Sequence, residues 1–149
     1  MIEIPETPLR KLLDEIDESK SPAQLAMDSI GMVDGIRIIE RKNTGGDFPF
    51  LDDCIRYVCD RTGLRRCDFE RYDDKGIIPA GFSERTSEDP SEGDIAVYQK
   101  YGDLKHVGLI TWDGSVISKW GTCHVYLHEL GSVPTRYGNT VRFLYHSGF

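Results

Sequence analysis

Ser91-Glu-Gly-Asp-Ile-Ala-Val-Tyr98, Lys105-His-Val-Gly-Leu-Ile-Thr-Trp112 and Ser115-Val-Ile-Ser-Lys-Trp120 are the three blocks on which the fold turns. In the first, Ile95 and Val97 alternate with Ala96 and Tyr98, the period of two that marks a strand. Val107, Leu109 and Ile110 make a largely buried second strand, and Val116 with Ile117 a third. Short turns between them require antiparallel pairing. The turn at Trp112-Asp113-Gly114 sets the register. A three-residue loop with Gly114 left-handed pairs Thr111 with Ser115, hence Gly108 with Ser118. Ser118 then shares a face with His106; a two-residue loop would bring Lys119 there instead.

Downstream, Val125-Tyr-Leu127 suggests a fourth strand. Thr140-Val-Arg-Phe-Leu-Tyr-His146 closes the chain as the last, with Val141, Phe143 and Tyr145 alternating. Upstream, Asp52-Asp-Cys-Ile-Arg-Tyr-Val-Cys-Asp-Arg-Thr-Gly63 reads as a helix that Asp52 or Asp53 caps and Gly63 stops. Ile55, Val58 and Cys59 share its apolar face, so Cys59 is expected to be a buried thiol. Residues 64–90 read as a shorter helix or loop, then a polar connection, with Cys67 a surface or half-buried thiol. Near the start, Thr7 is placed to cap a helix that Pro8 opens and in which Leu9, Leu12, Leu13 and Ile16 recur at helical spacing. Ser21-Pro22 restarts a second helix through Leu25, Met27, Ile30 and Met32. Gly35 to Arg41 suggests a short strand, broken by Asn43-Thr-Gly-Gly-Asp47. The expected fold class is α+β, with N-terminal helices packed on a central antiparallel β-sheet. A single domain is expected over 1–149, with 1–46 a helical cover and 47–149 the core.

A chain of 149 residues buries a core without staples. Its net charge of −7 argues against a nucleic-acid groove, which needs dense Lys and Arg. Arg61, Arg65, Arg66 and Arg71 are interleaved with Asp60, Asp68, Glu70, Asp73 and Asp74, the pattern of a solvated surface. No apolar run approaches bilayer length, so no membrane role is expected. No basic head with an apolar run opens the sequence, so the expected compartment is cytoplasmic. There the four cysteines are expected to be thiols.

Two of these elements carry chemistry. Cys54 falls at the expected start of its helix, where the dipole and free N–H groups favour a thiolate. His106 opens a buried strand that would hold its ring rigidly. A thiol near its reference pKa of ~8.5 is mostly protonated at neutral pH, so amide hydrolysis needs such a histidine. Ser118 is placed to orient the imidazole, and the Cys54 N–H to donate to an oxyanion.

Asp53-Cys54 heading a helix, then Gly93-Asp94-Ile-Ala-Val-Tyr98 and His106-Val-Gly-Leu-Ile110, resembles the papain-like NlpC/CHAP superfamily of cysteine peptidases and amidases. The resemblance spans residues 48 to 120. It implies a papain-like core, cleavage of peptide-type amides, and a peptide or peptidoglycan-like substrate. It also implies Cys54 as nucleophile, His106 as base and Ser118 as third residue, with no cofactor.

Three other readings stand beside this one. Cys123, His124 and His128 include the residue types that ligate zinc, but no fourth ligand at compact spacing appears, so no metal is expected. His128 is alternatively a substrate contact. The alternative function is a non-catalytic binding or immunity/adaptor module on the same scaffold, with a protein partner.

Overall fold

The computed structural model describes residues 1–17, 30–40, 50–120 and 124–147. In chain order its elements are β1 (Ile2–Glu3), α1 (Pro8–Asp17), β2 (Arg37–Glu40), α2 (Phe50–Thr62), α3 (Arg66–Lys75), β3 (Phe82–Glu84), β4 (Ile95–Lys100), β5 (Asp103–Ile110), β6 (Val116–Lys119) and β7 (Val125–His128), then a single 3-10 turn (Thr135–Tyr137) and β8 (Thr140–His146).

Among the described residues eight antiparallel strands form one sheet in the order β1-β8-β4-β5-β6-β7-β2, with β3 also paired to β8. The hairpin register follows the three-residue reading. Thr111 N–H donates to Ser115 O at 2.8 Å, Gly114 is left-handed at φ 84°, and Leu109 faces Ile117. Gly108 therefore lies beside Ser118, and a Cβ added there would stand 3.0 Å from the serine Cβ.

The papain-like α+β expectation is corrected here. Among the described residues the sheet dominates, and the three helices are short, of ten, thirteen and ten residues. This is a β-rich fold. The N-terminal region is more than a helical cover, because β1 and β2 supply the two ends of the sheet. Ile2-Glu3 and Phe82–Glu84 gave too short a run for strand periodicity, and only pairing along β8 orders them. The expected second helix falls mostly outside the described residues, as do Asn43–Asp47 and Cys123.

Local chemistry accounts for the helices. The Thr7 hydroxyl accepts the Arg10 N–H at 3.2 Å, capping α1 as its spacing predicted. Gly63 ends α2, its N–H donating to Cys59 O at 3.0 Å. In α1, however, Leu12 is 44% exposed while Arg10 is buried. Its guanidinium donates to the carbonyl oxygens of Val133 (3.0 Å), Ile4 (3.4 Å), Pro134 (3.5 Å) and Gly138. Arg10 thereby ties α1 to the loop before β8.

The sheet has a core on each face. Ala96, Tyr98, Ile110, Val116, Trp120, Tyr126, Tyr137 and Phe143 pack with Leu13 of α1 on one face. Ile95, Val97, Val107 and Leu144 pack under α2 and α3 on the other, with Cys54, Ile55, Val58, Phe69 and Tyr72. Which face a side chain joins follows from the alternation along its strand.

Candidate functional site

Cys54 lies in the second of these cores. Helix α2 begins at Phe50, so Cys54 is its fifth residue rather than its first. Its backbone N–H therefore belongs to the intrahelical ladder, and the expected oxyanion donor is not presented. The side chain is 1% exposed among Ile95, Val97 and Val107. Cys59, one turn further, is half-buried, and burial pushes its thiol up to about 11 with help from nearby Asp60 and Asp68. Cys67 is half-buried on α3, as expected.

His106 lies on the opposite face. It pairs with Tyr98 across β4 and β5, so its ring shares the face of Tyr98 and Ala96. It stacks on Tyr137 at 4.2 Å between centroids and 6° between planes, and it contacts Tyr98 at 5.5 Å. Val107 points the other way, toward Cys54. The thickness of the sheet thus separates the expected nucleophile from the expected base. The Cys54–His106 pairing is corrected accordingly: period two put His106 and Val107 on opposite faces, and α2 covers the face of Val107.

His106 is 1% exposed, and its Nε2 has no hydrogen-bond partner among the described residues. Burial, reinforced by His128 and Arg136, holds its pKa well below the ordinary histidine value.

Ser118 does share the His106 face, but it serves another histidine. Its Oγ lies 2.7 Å from His128 Nε2, and Trp120 Nε1–H donates to the same oxygen at 3.0 Å. His128 Nδ1 lies 2.7 Å from the Glu129 carbonyl, which only accepts, so Nδ1 carries the proton. Nε2 is then bare and accepts the Ser118 hydroxyl. Burial lowers the His128 pKa to about 4, so the ring is neutral at pH 7. This chain of hydrogen bonds polarises a serine hydroxyl. Both ends are sealed, however, with Ser118 and His128 both buried. Sequence reasoning missed the pair because β6 and β7 set it by their pairing, with Val116 opposite His128.

The Gly93-Asp94 step of the motif has a structural task. The Asp94 carboxylate takes both Arg85 donors, at 2.6 and 3.1 Å, and the Ser91 N–H at 3.0 Å. It anchors the entry to β4. His124 is buried. Among the described residues no three His, Cys, Asp or Glu side chains converge as a metal site would require, and Cys123 lies outside them. No described helix is long and apolar enough to cross a membrane.

Concavities lie elsewhere. Clefts of about 770 and about 420 Å³ flank the β4–β5 turn and share Tyr101 and Asn139. A third, of about 320 Å³, opens between β2 and β7 beside His128 and Glu129. Comparisons with known protein families, curated proteins and solved structures find no match to this chain.

Proposed function

We infer that this chain is a non-catalytic binding module rather than a thiol hydrolase. The observation that carries the reading is the placement of Cys54 and His106 on opposite faces of the sheet, with the thiol sealed among apolar side chains. A nucleophilic thiolate needs a base within hydrogen-bond reach and a path for substrate. Cys54 has neither His106 nor solvent beside it. The clefts around Tyr101 supply open concavity without an aligned nucleophile and base, which suits recognition rather than bond cleavage.

Alkylation tests this reading. Iodoacetamide at neutral pH is expected to modify Cys54 only after denaturant opens the core, at a rate unchanged by His106→Ala in the unfolded chain. Rapid native labelling of Cys54 that His106→Ala abolishes would overturn it. So would peptide hydrolysis that Cys54→Ala removes.

A second reading has the 2.7 Å Ser118–His128 contact in its favour, a hydrolase with serine as nucleophile. Its test is a fluorophosphonate probe, which is expected to leave the sealed Ser118 unlabelled. Stoichiometric labelling, lost in His128→Gln, would establish the serine enzyme instead.

A further inference from the structure

We propose that the cleft around Tyr101 binds an uncharged saccharide, a ligand class that rests on the binding-module reading above. Tyr101 occupies a turn that a tyrosine does not favour. Lys100-Tyr-Gly-Asp103 closes the β4–β5 hairpin with φ 52° at Tyr101 and 82° at Gly102. Positive φ at both central positions calls for Asn or Gly, and a bulky aromatic there is strained. Packing returns little for that strain: the residue is 88% exposed, with the Lys100 ammonium 5.9 Å from the ring centroid. The fold holds a large ring in solvent at a cost to its own turn.

Tyr101 lines both clefts, of about 770 and about 420 Å³, as does Asn139. Gln99, Asn139, Thr140 and Asp73 line the larger one. Gln99 Nε2 donates to Gly102 O at 3.3 Å, the Thr140 hydroxyl to Gln99 O at 3.2 Å, and one Asp73 oxygen takes the Leu104 N–H at 2.8 Å. The Asn139 amide and the second Asp73 oxygen are therefore the groups left for a ligand among the described residues. The Tyr72 hydroxyl on its wall is buried beside the Arg142 guanidinium. Such a set both donates and accepts, which matches vicinal hydroxyls, each of them donor and acceptor. The exposed aromatic face complements the slightly positive C–H face of a sugar ring.

Other ligand classes fit less well. Arg142 in the larger cleft is paired with Glu84 at 3.2 Å beside Asp73. In the smaller one the Arg10 guanidinium is taken by backbone carbonyls and Lys100 is accompanied by Glu6. Among the described residues the cations of both clefts are thus offset rather than clustered for a phosphate. An extended peptide adds to a free strand edge. Here the β8 edge is taken by β1 at Thr140 and Val141, by β3 from Leu144 to His146, and by the Arg85 N–H at Phe143 O.

The test uses the full chain on an array of neutral, sialylated and sulfated oligosaccharides, beside an array of random peptides. Calorimetric titration then follows with the strongest neutral glycan. Binding to a neutral glycan is expected, weakened about tenfold or more in Tyr101→Ala and in Asn139→Ala. Tyr101→Asn, which suits the turn, is expected to melt no lower than wild type and to lose binding equally, separating recognition from folding. No signal on any neutral glycan, signal on charged glycans or peptides alone, or unchanged affinity in all three variants would overturn the proposal. If it falls while native Cys54 stays protected from iodoacetamide, the binding-module reading stands without a saccharide. Rapid His106-dependent alkylation of Cys54 removes that broader reading instead.

Discussion

Acidifying the protein from pH 7 to pH 4 should cost about 3 kcal/mol of folding stability through His128 alone. The ring is buried and neutral, with its pKa lowered from 6.5 to about 4 by desolvation. In the unfolded chain it titrates near ~6.5. Below that pH the unfolded state binds a proton that the folded state refuses, so acid favours unfolding. The contribution of the neutral ring is fully present above about pH 6.5, and it is lost as pH falls toward 4. Across that window one proton sets a slope of at most about 1.4 kcal/mol per pH unit, which falls to about half at pH 4 as the folded ring begins to take up its own proton. His106 acts in the same direction, since burial pushes its pKa down as well. The assay is urea unfolding followed by circular dichroism at pH 7, 6, 5 and 4, with the slope m checked for constancy. The control is His128→Gln, which keeps an acceptor for the Ser118 hydroxyl but does not titrate. Carboxylates contribute equally to both proteins, so the difference isolates the ring. The variant should lose about 3 kcal/mol less than wild type between pH 7 and pH 4. Equal losses would refute the argument and place the His128 ring in contact with water.

Three further substitutions probe the packing. Arg10→Met removes the guanidinium donors to the Val133, Ile4, Pro134 and Gly138 carbonyls, of which Pro134 O keeps the Tyr137 N–H, and should cost about 3 kcal/mol or more, read from urea unfolding; a loss under about 1 kcal/mol would mean water satisfies those oxygens. Gly108→Ala would drive a Cβ to 2.6 Å from Val116 Cγ1 and 3.1 Å from the Ile117 carbonyl. Its cost should be about 1–3 kcal/mol, and an unchanged melting temperature would show that the β5–β6 pairing is looser than described. Cys54→Ala deletes one buried sulfur from the core under α2 and should cost about 1 kcal/mol, measured the same way. Because Cys54 lies away from Tyr101, this variant should retain whatever binding the wild type has, which titration with the strongest array ligand checks.

Much of the backbone plan was legible in the chain by itself. Alternation marked β4 and β8, an apolar run marked β5, and Thr7 capped α1 as its spacing required. The Trp112-Asp113-Gly114 turn narrowed the register to two, of which pairing along β6 took the one that sets Ser118 beside Gly108. These features rest on interactions between near neighbours in sequence, where turn geometry and side-chain periodicity act directly. What only the tertiary structure decided was which face each helix covers. Period two separates His106 from Val107, but nothing local says that α2 lies over Val107 while α1 and Tyr137 lie over His106. That choice belongs to long-range burial of apolar area, which sums over the whole sheet. The same holds for Arg10, buried because carbonyls more than a hundred positions away in sequence converge on it. The partnership of Ser118 with His128 likewise awaited the pairing of β6 with β7.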